Sequence, residues 1–207
     1  NKLFEIIKVA HKVNPGITFE VFIHKVDSDM FQQDEQKFDT LNEIAQNMRG
    51  LLSEHGFGSG HGNKEVAIDY NLTSIYDLTI YQALSRVIQK MLPQTQFIVQ
   101  LLDQLVLSSQ IQKAFLFDVI SKIYIATDKT PVEMKDYEIC SELIDVLIDV
   151  TCIYGTDDQG GSLTFDEKSS ATIKLNHPPS DQNVMLYLKE VDKCLAVVLD
   201  GLACGPN

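Results

Sequence analysis

The chain has no tryptophan, only four cysteines and six prolines in 207 residues, and far fewer basic than acidic side chains, 17 Lys+Arg against 29 Asp+Glu. That shortage of positive charge, a formal net of −12, excludes non-specific adhesion to a phosphate backbone or an anionic membrane, because both need surplus Lys and Arg. No nucleic-acid partner is expected. Cys140, Cys152, Cys194 and Cys204 form no CxxC pair, and residues 1–139 contain no cysteine. A disulfide scaffold or zinc ribbon is thereby disfavoured, and a reducing, cytoplasmic setting is expected. Long hydrophobic runs are missing too: the most apolar stretch, residues 143–154, is interrupted by Asp145 and Asp149, so no direct membrane insertion is expected. No signal peptide is expected at the start of the chain. Asn1 is not an initiator methionine, and the opening reads as a cut inside a larger protein. What is present is ordinary for a folding chain, with 44% hydrophobic residues and a mean hydropathy of −0.03, in a length that allows one large or two small domains.

Two segments differ in pattern. The opening residues Leu3, Phe4, Ile6, Ile7, Val9 and Ala10 look helical. The run TFEVFI (18–23) suits a buried strand, and Phe38, Leu41, Ile44, Ala45, Met48, Leu51 and Leu52 recur at helical spacing. The cluster GFGSGHGN (56–63) ends that helix; residues 66–72 read as a second strand and 76–92 as a second helix stopped by Pro93. Strand, helix, strand, helix is the repeating unit of a parallel α/β sheet. Beyond Pro93 the order changes to a helix over 94–109 and two strand-like runs, AFLFDV and KIYIAT, with a hairpin around 120–122. A helix over 137–154 and three further runs, SATIKL, NVMLYL and CLAVVL, complete the order. That order describes a small α+β domain with an antiparallel sheet. Charge divides at the same place: residues 1–92 hold 9 basic and 12 acidic side chains, residues 93–207 hold 8 and 17.

The strongest chemical signal is His24-Lys25-Val26-Asp27 directly after the first strand. A carboxylate there can accept hydrogen bonds from two adjacent donors, which guanine offers as its ring N–H and exocyclic amine, while Lys25 can lay its aliphatic stem along the base plane. About one strand-helix unit later, residues 70–77, YNLTSIYD, follow the second strand, where backbone N–H groups could meet the base oxygen. Both loops lie at carboxyl ends of parallel strands, where open α/β sheets bind ligands. Other patterns take plainer readings. GFGSGHG matches neither GxGxxG nor GxxxxGK and reads as an inserted loop. The five histidines have no HxxxH pair, Asp145 and Asp149 read as a wet helix face, Asn71-Leu72-Thr73 as an unused sequon, and Cys204-Gly205-Pro206-Asn207 as no prenylation signal.

Longer strings point to a family. FEVFIHKVD, YNLTSIYDLTIYQALSRVIQKMLPQ, KAFLFDVISKIYIATDKTPVEM, ELIDVLIDVTCIYG, SATIKLN and VMLYLKEVDKCLAVV, in that order, resemble the Rag GTPases of the C/D type. The resemblance covers nearly the whole chain. It implies the carboxy-terminal part of a Ras-like P-loop G domain with a parallel sheet over residues 1–92. An α+β roadblock or longin-like dimerisation domain over 93–207 follows, its end departing from the family after Leu199, where a final helix is expected. Lys25 and Asp27 match the guanine-specificity motif, with His24 where Asn is usual in small GTPases, as in the C/D-type Rags, and Thr73, Ser74 and Ile75 match the last guanine-loop motif, though Ile75 replaces the more usual Ala. The phosphate loop GxxxxGK[ST] does not occur in these residues, and DxxG occurs only within residues 157–161, after the guanine loops and not ahead of them, so no magnesium-holding DxxG or switch threonine is expected here. The chain alone is therefore expected to hold only the guanine end of GTP or GDP, with magnesium only in an intact G domain, and not to hydrolyse GTP.

The resemblance further implies a heterodimer with an A/B-type Rag on a Ragulator scaffold. Such a pair is cytoplasmic, is recruited to the lysosomal surface, and relays amino-acid sufficiency to the target-of-rapamycin complex. The competing expectation is a nucleotide-free roadblock module that acts only as a dimerisation scaffold. An unrelated α/β enzyme would need a nucleophile-base or metal constellation that these residues do not contain.

Overall fold

Spacing explains the first element: α1 (Lys2–Val13) buries Phe4, Ile7 and His11, which lie three and four residues apart on one helical face. A turn through Pro15 and Gly16, where the Gly16 N–H donates to Asn14 Oδ1 at 3.0 Å, leads into β1 (Thr18–His24). Next, α2 (Asp34–Glu54) returns the chain so that β2 (Ala67–Thr73) runs parallel to β1, with Thr18 opposite Ala67 and His24 opposite Thr73. Parallel neighbours require a long crossover, and α2 is that crossover. The core between the helices and this pair holds Phe4, Ile7, Met48, Leu52 and Val66, with Phe19, Ile68 and Tyr70 packed against it. Gly56 stops α2 at φ 82°, a left-handed conformation that glycine adopts freely. Its N–H donates to Ser53 O, and the N–H of Phe57 reaches Leu52 O at 2.9 Å. Both bonds satisfy carbonyls that the helix end leaves open, and Phe57 folds back onto the core.

The computed structural model describes residues 2–27, 34–57, 66–109, 111–154, 169–176, 183–192 and 194–202, in two compact units, Asn1–Ala83 and Leu84–Asn207. The glycine cluster from 58 onward, the loop over 177–182 and Cys204 lie outside the described residues. Helix α3 (Thr79–Met91) runs from the first unit into the second. It starts at Thr79 rather than at residue 76, because the Asp77 carboxylate accepts the Thr79 N–H at 3.0 Å and caps the first turn.

In the second unit, α4 (Thr95–Ser108), β3 (Ile111–Asp118), β4 (Ile123–Thr127) and α5 (Met134–Tyr154) precede β5 (Ser170–Asn176), β6 (Asn183–Asp192) and β7 (Leu195–Leu202). The five strands form one antiparallel sheet in the order β4-β3-β7-β6-β5. On one face Leu102, with Ile98 and Val106 of α4, packs against Ala114, Leu116, Ala126, Val197 and Leu199. On the other, Tyr137 of α5 meets the rings of Phe117 and Tyr124 at 5.6 and 5.7 Å. A bulge between Leu116 and Phe117 turns Ile125 and Ala126 both toward α4. Edge strand β4 is sealed at Tyr124: its N–H donates to Ser85 Oγ at 3.1 Å and its carbonyl accepts from Gln89 Nε2 at 3.3 Å. Ser85 and Gln89 stand one turn apart on α3, which therefore occupies a row of backbone groups that edge strands otherwise leave open.

The sequence of α4 reads as one apolar stripe of Phe97, Ile98, Leu101, Leu102, Leu105 and Val106, and the structure corrects that reading in one respect. Ile98, Leu102 and Val106 face the sheet, whereas Leu101 and Leu105 are 50% and 37% exposed and Phe97 is 64% exposed. A continuous apolar stripe at three- and four-residue spacing is wider than the face that one sheet covers, and only half of it found cover.

One buried ion pair locks the sheet to the turn before α5. Lys113 Nζ lies 3.2 Å from Asp128 Oδ1 and donates to Thr130 O at 2.7 Å and Thr130 Oγ1 at 2.9 Å. Asp128 also accepts the N–H groups of Ala114 and Thr130 and the Thr130 hydroxyl. Burial alone would raise the Asp128 carboxyl, but these hydrogen bonds and the Lys113 ammonium outweigh it and hold the group below the ordinary carboxylate range. Asp200, opposite Lys113 on β7, is the contrary case. Its Oδ1 is buried without a hydrogen-bond partner, and burial, then the charge of Asp136, push its pKa up to about 6.

Two outcomes follow for stability. Asp128→Ala leaves the Lys113 ammonium buried without its counter-charge and should destabilise the chain by about 3 kcal/mol or more in urea titrations. The native Asp128 carboxyl is depressed, so its contribution is present above the ordinary carboxylate pKa and lost as pH falls below it. The native Asp200 carboxyl is raised, so stability should decline as pH rises from about 4 through about 6. Asp200→Leu should remove that decline, read as melting temperature against pH.

Candidate functional site

The carboxyl ends of β1 and β2 lie side by side because the two strands are parallel and in register. Each feeds a loop at the same edge. At the end of β1, His24 Nδ1 lies 3.1 Å from Thr73 Oγ1, and the Thr73 hydroxyl has the carbonyl of Ile23 as its acceptor at 3.5 Å. Lys25 follows at φ 65°, left-handed and unfavourable for a residue with a Cβ. That turn buries Val26 and leaves Lys25 and Asp27 exposed. Strain of this kind persists where the surroundings over-determine it. Here a hydrogen bond from Ser74 Oγ to Asp27 Oδ1, across 47 residues of sequence, fastens the loop.

Ser74 is fully buried and sits at the centre of the second loop. Its N–H donates to Thr79 Oγ1 at 2.9 Å, and its Oγ accepts the Tyr76 N–H at 3.0 Å. The Thr79 hydroxyl in turn donates to Asp77. Of three consecutive N–H groups, those of Ser74 and Tyr76 are therefore spent, and that of Ile75 has no acceptor among the described residues. The Ile75 and Tyr76 side chains are 66% and 82% exposed.

All five residues singled out from the sequence thus stand on these two loops. The structure joins Asp27 to Ser74 and, one residue earlier on β2, His24 to Thr73, while Lys25 and Ile75 are carried beside them with exposed side chains. The sequence reading missed the braces Asp77 and Thr79. Asp-x-Thr ahead of an apolar helical run was the available signal, since it is a helix-start pattern.

The arrangement offers a carboxylate with one oxygen fixed and the other without a protein partner among the described residues, plus one free backbone N–H. A planar ligand with two adjacent donors and a neighbouring acceptor matches that set. No group of three or more His, Cys, Asp or Glu side chains among the described residues is placed to hold a metal. A cavity of about 540 Å³ between α2 and β2, lined by Arg49, Phe57, Asp69 and Tyr70 among others, includes none of the loop residues. Among the described residues no cysteine stands on these loops. Burial pushes the Cys140 thiol up, with Asp200 and Asp136 adding to the effect, and it belongs to the second unit. Asp145 pairs with Lys122 at 2.5 Å on an exposed surface, as a wet helix face should. No described helix is long and apolar enough to cross a membrane.

Residues 1–144 match the family described as the Gtr1/RagA G protein conserved region. The chain is 46% identical over 197 residues to Ras-related GTP-binding protein C of Homo sapiens, covering 95% of this chain and 46% of that protein. It is 47% identical over 189 residues to Ras-related GTP-binding protein D of Mus musculus, covering 91% of this chain and 39% of that protein. With GTP-binding protein gtr2 of Schizosaccharomyces pombe it shares 41% identity over 189 residues, 90% of this chain and 56% of that protein. The chain therefore spans about half the length of these relatives. It belongs to the Gtr1/RagA G protein family, as a Rag GTPase of the C/D type.

Proposed function

We propose that this chain supplies the base-recognising end of a guanine-nucleotide switch, followed by a roadblock-like dimerisation platform. GTP or GDP is the ligand, residues 1–92 are the carboxy-terminal part of the G domain, and 93–207 the roadblock-like domain. The observation that carries the reading is the Ser74 to Asp27 hydrogen bond. It points one carboxylate across the ends of two parallel strands beside the free N–H of Ile75. Guanine presents its ring N–H and exocyclic amine together, two donors for Asp27, with its oxygen next to them for the Ile75 N–H. Adenine presents a ring-nitrogen lone pair where guanine presents the ring N–H, and the carboxylate repels it. Lys25 lays its stem along the base plane. No phosphate loop GxxxxGK[ST] occurs among these residues, so no step of hydrolysis is assigned to them.

The wider role rests on family membership. The chain pairs with an A/B-type Rag, sits with it on a Ragulator scaffold at the lysosomal surface, and relays amino-acid sufficiency to the target-of-rapamycin complex. The second unit supports pairing physically. Its β5 edge has no neighbouring strand among the described residues, and Phe97, Leu101 and Leu105 present an uncovered apolar row on α4. That row also favours the narrower reading, a nucleotide-free scaffold that only dimerises.

Two experiments separate the readings. In the full-length protein, Asp27→Asn exchanges an acceptor for a donor opposite the guanine amine. It should weaken guanine-nucleotide binding by about 2 kcal/mol and favour xanthine nucleotides in competition. Unchanged selectivity would remove Asp27 from the site and leave the scaffold reading. Leu101→Asp with Leu105→Asp alters exposed side chains, so melting should stay within about 1 kcal/mol of the parent. Association with an A/B-type Rag carboxy-terminal domain, followed by size exclusion with light scattering, should be lost.

A further inference from the structure

Beside the sheet of the first unit runs a groove that the two loops do not use. Its cavity of about 540 Å³ is bounded by Ala45, Arg49 and Leu52, which lie on one face of α2, and by Ala67, Ile68, Asp69 and Tyr70 of β2. Consecutive strand residues point to opposite faces, and here Ile68 and Tyr70 turn to the core. A cavity lined by all four therefore follows the edge of the strand. Among the described residues β2 has β1 on one side and no strand on the other, and alternate β2 residues aim their N–H and C=O groups at that open side. A helix flanking an open strand edge, with apolar room between them, suits an extended peptide that adds as a further strand. The edge supplies main-chain hydrogen bonds, and the cavity takes a side chain.

Charge narrows the occupant. Arg49 is exposed and makes no hydrogen bond or ion pair among the described residues, and its charge opposes the upward push that burial gives the Tyr70 phenol. It matches a carboxylate. Asp69, already engaged, lines the same groove, and residues 1–92 carry 12 acidic against 9 basic side chains, so a peptide with several acids is repelled. Ala45 and Leu52 make the wall next to Arg49 apolar, so the one carboxylate and an apolar side chain must arrive together. The last residue of a polypeptide carries both on one α-carbon.

We propose that the groove between α2 and the open edge of β2 captures the carboxy-terminal end of a partner protein as an added strand, with its terminal carboxylate on Arg49 and its apolar last side chain against Leu52 and Ile68. The inference does not rest on the guanine reading, because no residue lining this cavity stands on the two loops.

The test uses the full-length protein, with a displayed library of random heptapeptides carrying free carboxyl ends as the probe. Enriched peptides should end in an apolar residue and should slow amide exchange across residues 66–73. Amidating the terminal carboxylate should weaken them by about tenfold or more, the worth of a hydrogen bond to a charged group. Arg49→Gln should cost the same factor with the free-acid peptide and nothing further with the amidated one, as coupled partners require. Ala45→Trp fills the cavity and should abolish binding, while both variants keep the parent's melting temperature and guanine-nucleotide affinity. Should Ala45→Trp fail to fold, the Arg49→Gln cycle decides alone. The proposal is overturned if no peptide is enriched, if amidation or Arg49→Gln costs nothing, or if the bound peptide leaves exchange over 66–73 unchanged. Decanoate displacing the peptides at equal affinity would also overturn it, in favour of a small amphipathic acid.

Discussion

The parallel pairing of β1 with β2 is the constraint on which the site depends. Because the strands point the same way and His24 stands opposite Thr73, both chains leave the sheet at one edge and their loops meet. An antiparallel pair would send the two loops to opposite ends. A slip of one residue would turn Thr73 and Ser74 to the wrong faces and break both of their cross-strand bonds. The register in turn follows from the core, where Phe19, Ile68 and Tyr70 must all reach the helices that bury Ile7 and Met48. Hydrophobic packing on one side of the pair thus fixes hydrogen-bond geometry at its end.

A similar division of labour runs through the second unit. Its sheet is held on one face by the aliphatic side chains of α4 and on the other by the aromatic group around Tyr137. The Lys113 and Asp128 pair adds little net attraction relative to an apolar pair of the same size, yet removing either partner strands a buried charge. Its further hydrogen bonds specify where the chain must turn before α5. Asp200 shows what happens without such partners: its carboxyl holds its proton to about pH 6. Helix α3 contributes to both units in sequence, opening beside the second loop and ending where Ser85 and Gln89 seal Tyr124 on β4.

Most element types were legible in the chain because their periods were long and clear. The α2 residues Phe38 to Leu52 repeat at helical spacing over four turns, and TFEVFI allows little but a strand. Helix starts were less legible, since the onset of α3 depends on the Asp77 carboxylate, a side-chain bond that periodicity does not register. The faces of α4 were not legible either. Leu101 and Leu102 are adjacent and equally apolar, and only the position of the sheet separates the buried one from the exposed one.

The sequence by itself determined the elements and their order, the change of pattern and charge near Pro93, and the two short strings at the strand ends, because these are local properties of neighbouring residues. The tertiary structure alone brings Ser74 to Asp27 and Thr73 to His24. The Ser74–Asp27 and Thr73–His24 contacts join residues nearly fifty positions apart. Their geometry exists only once strand register, helix packing and the left-handed turn at Lys25 are all in place.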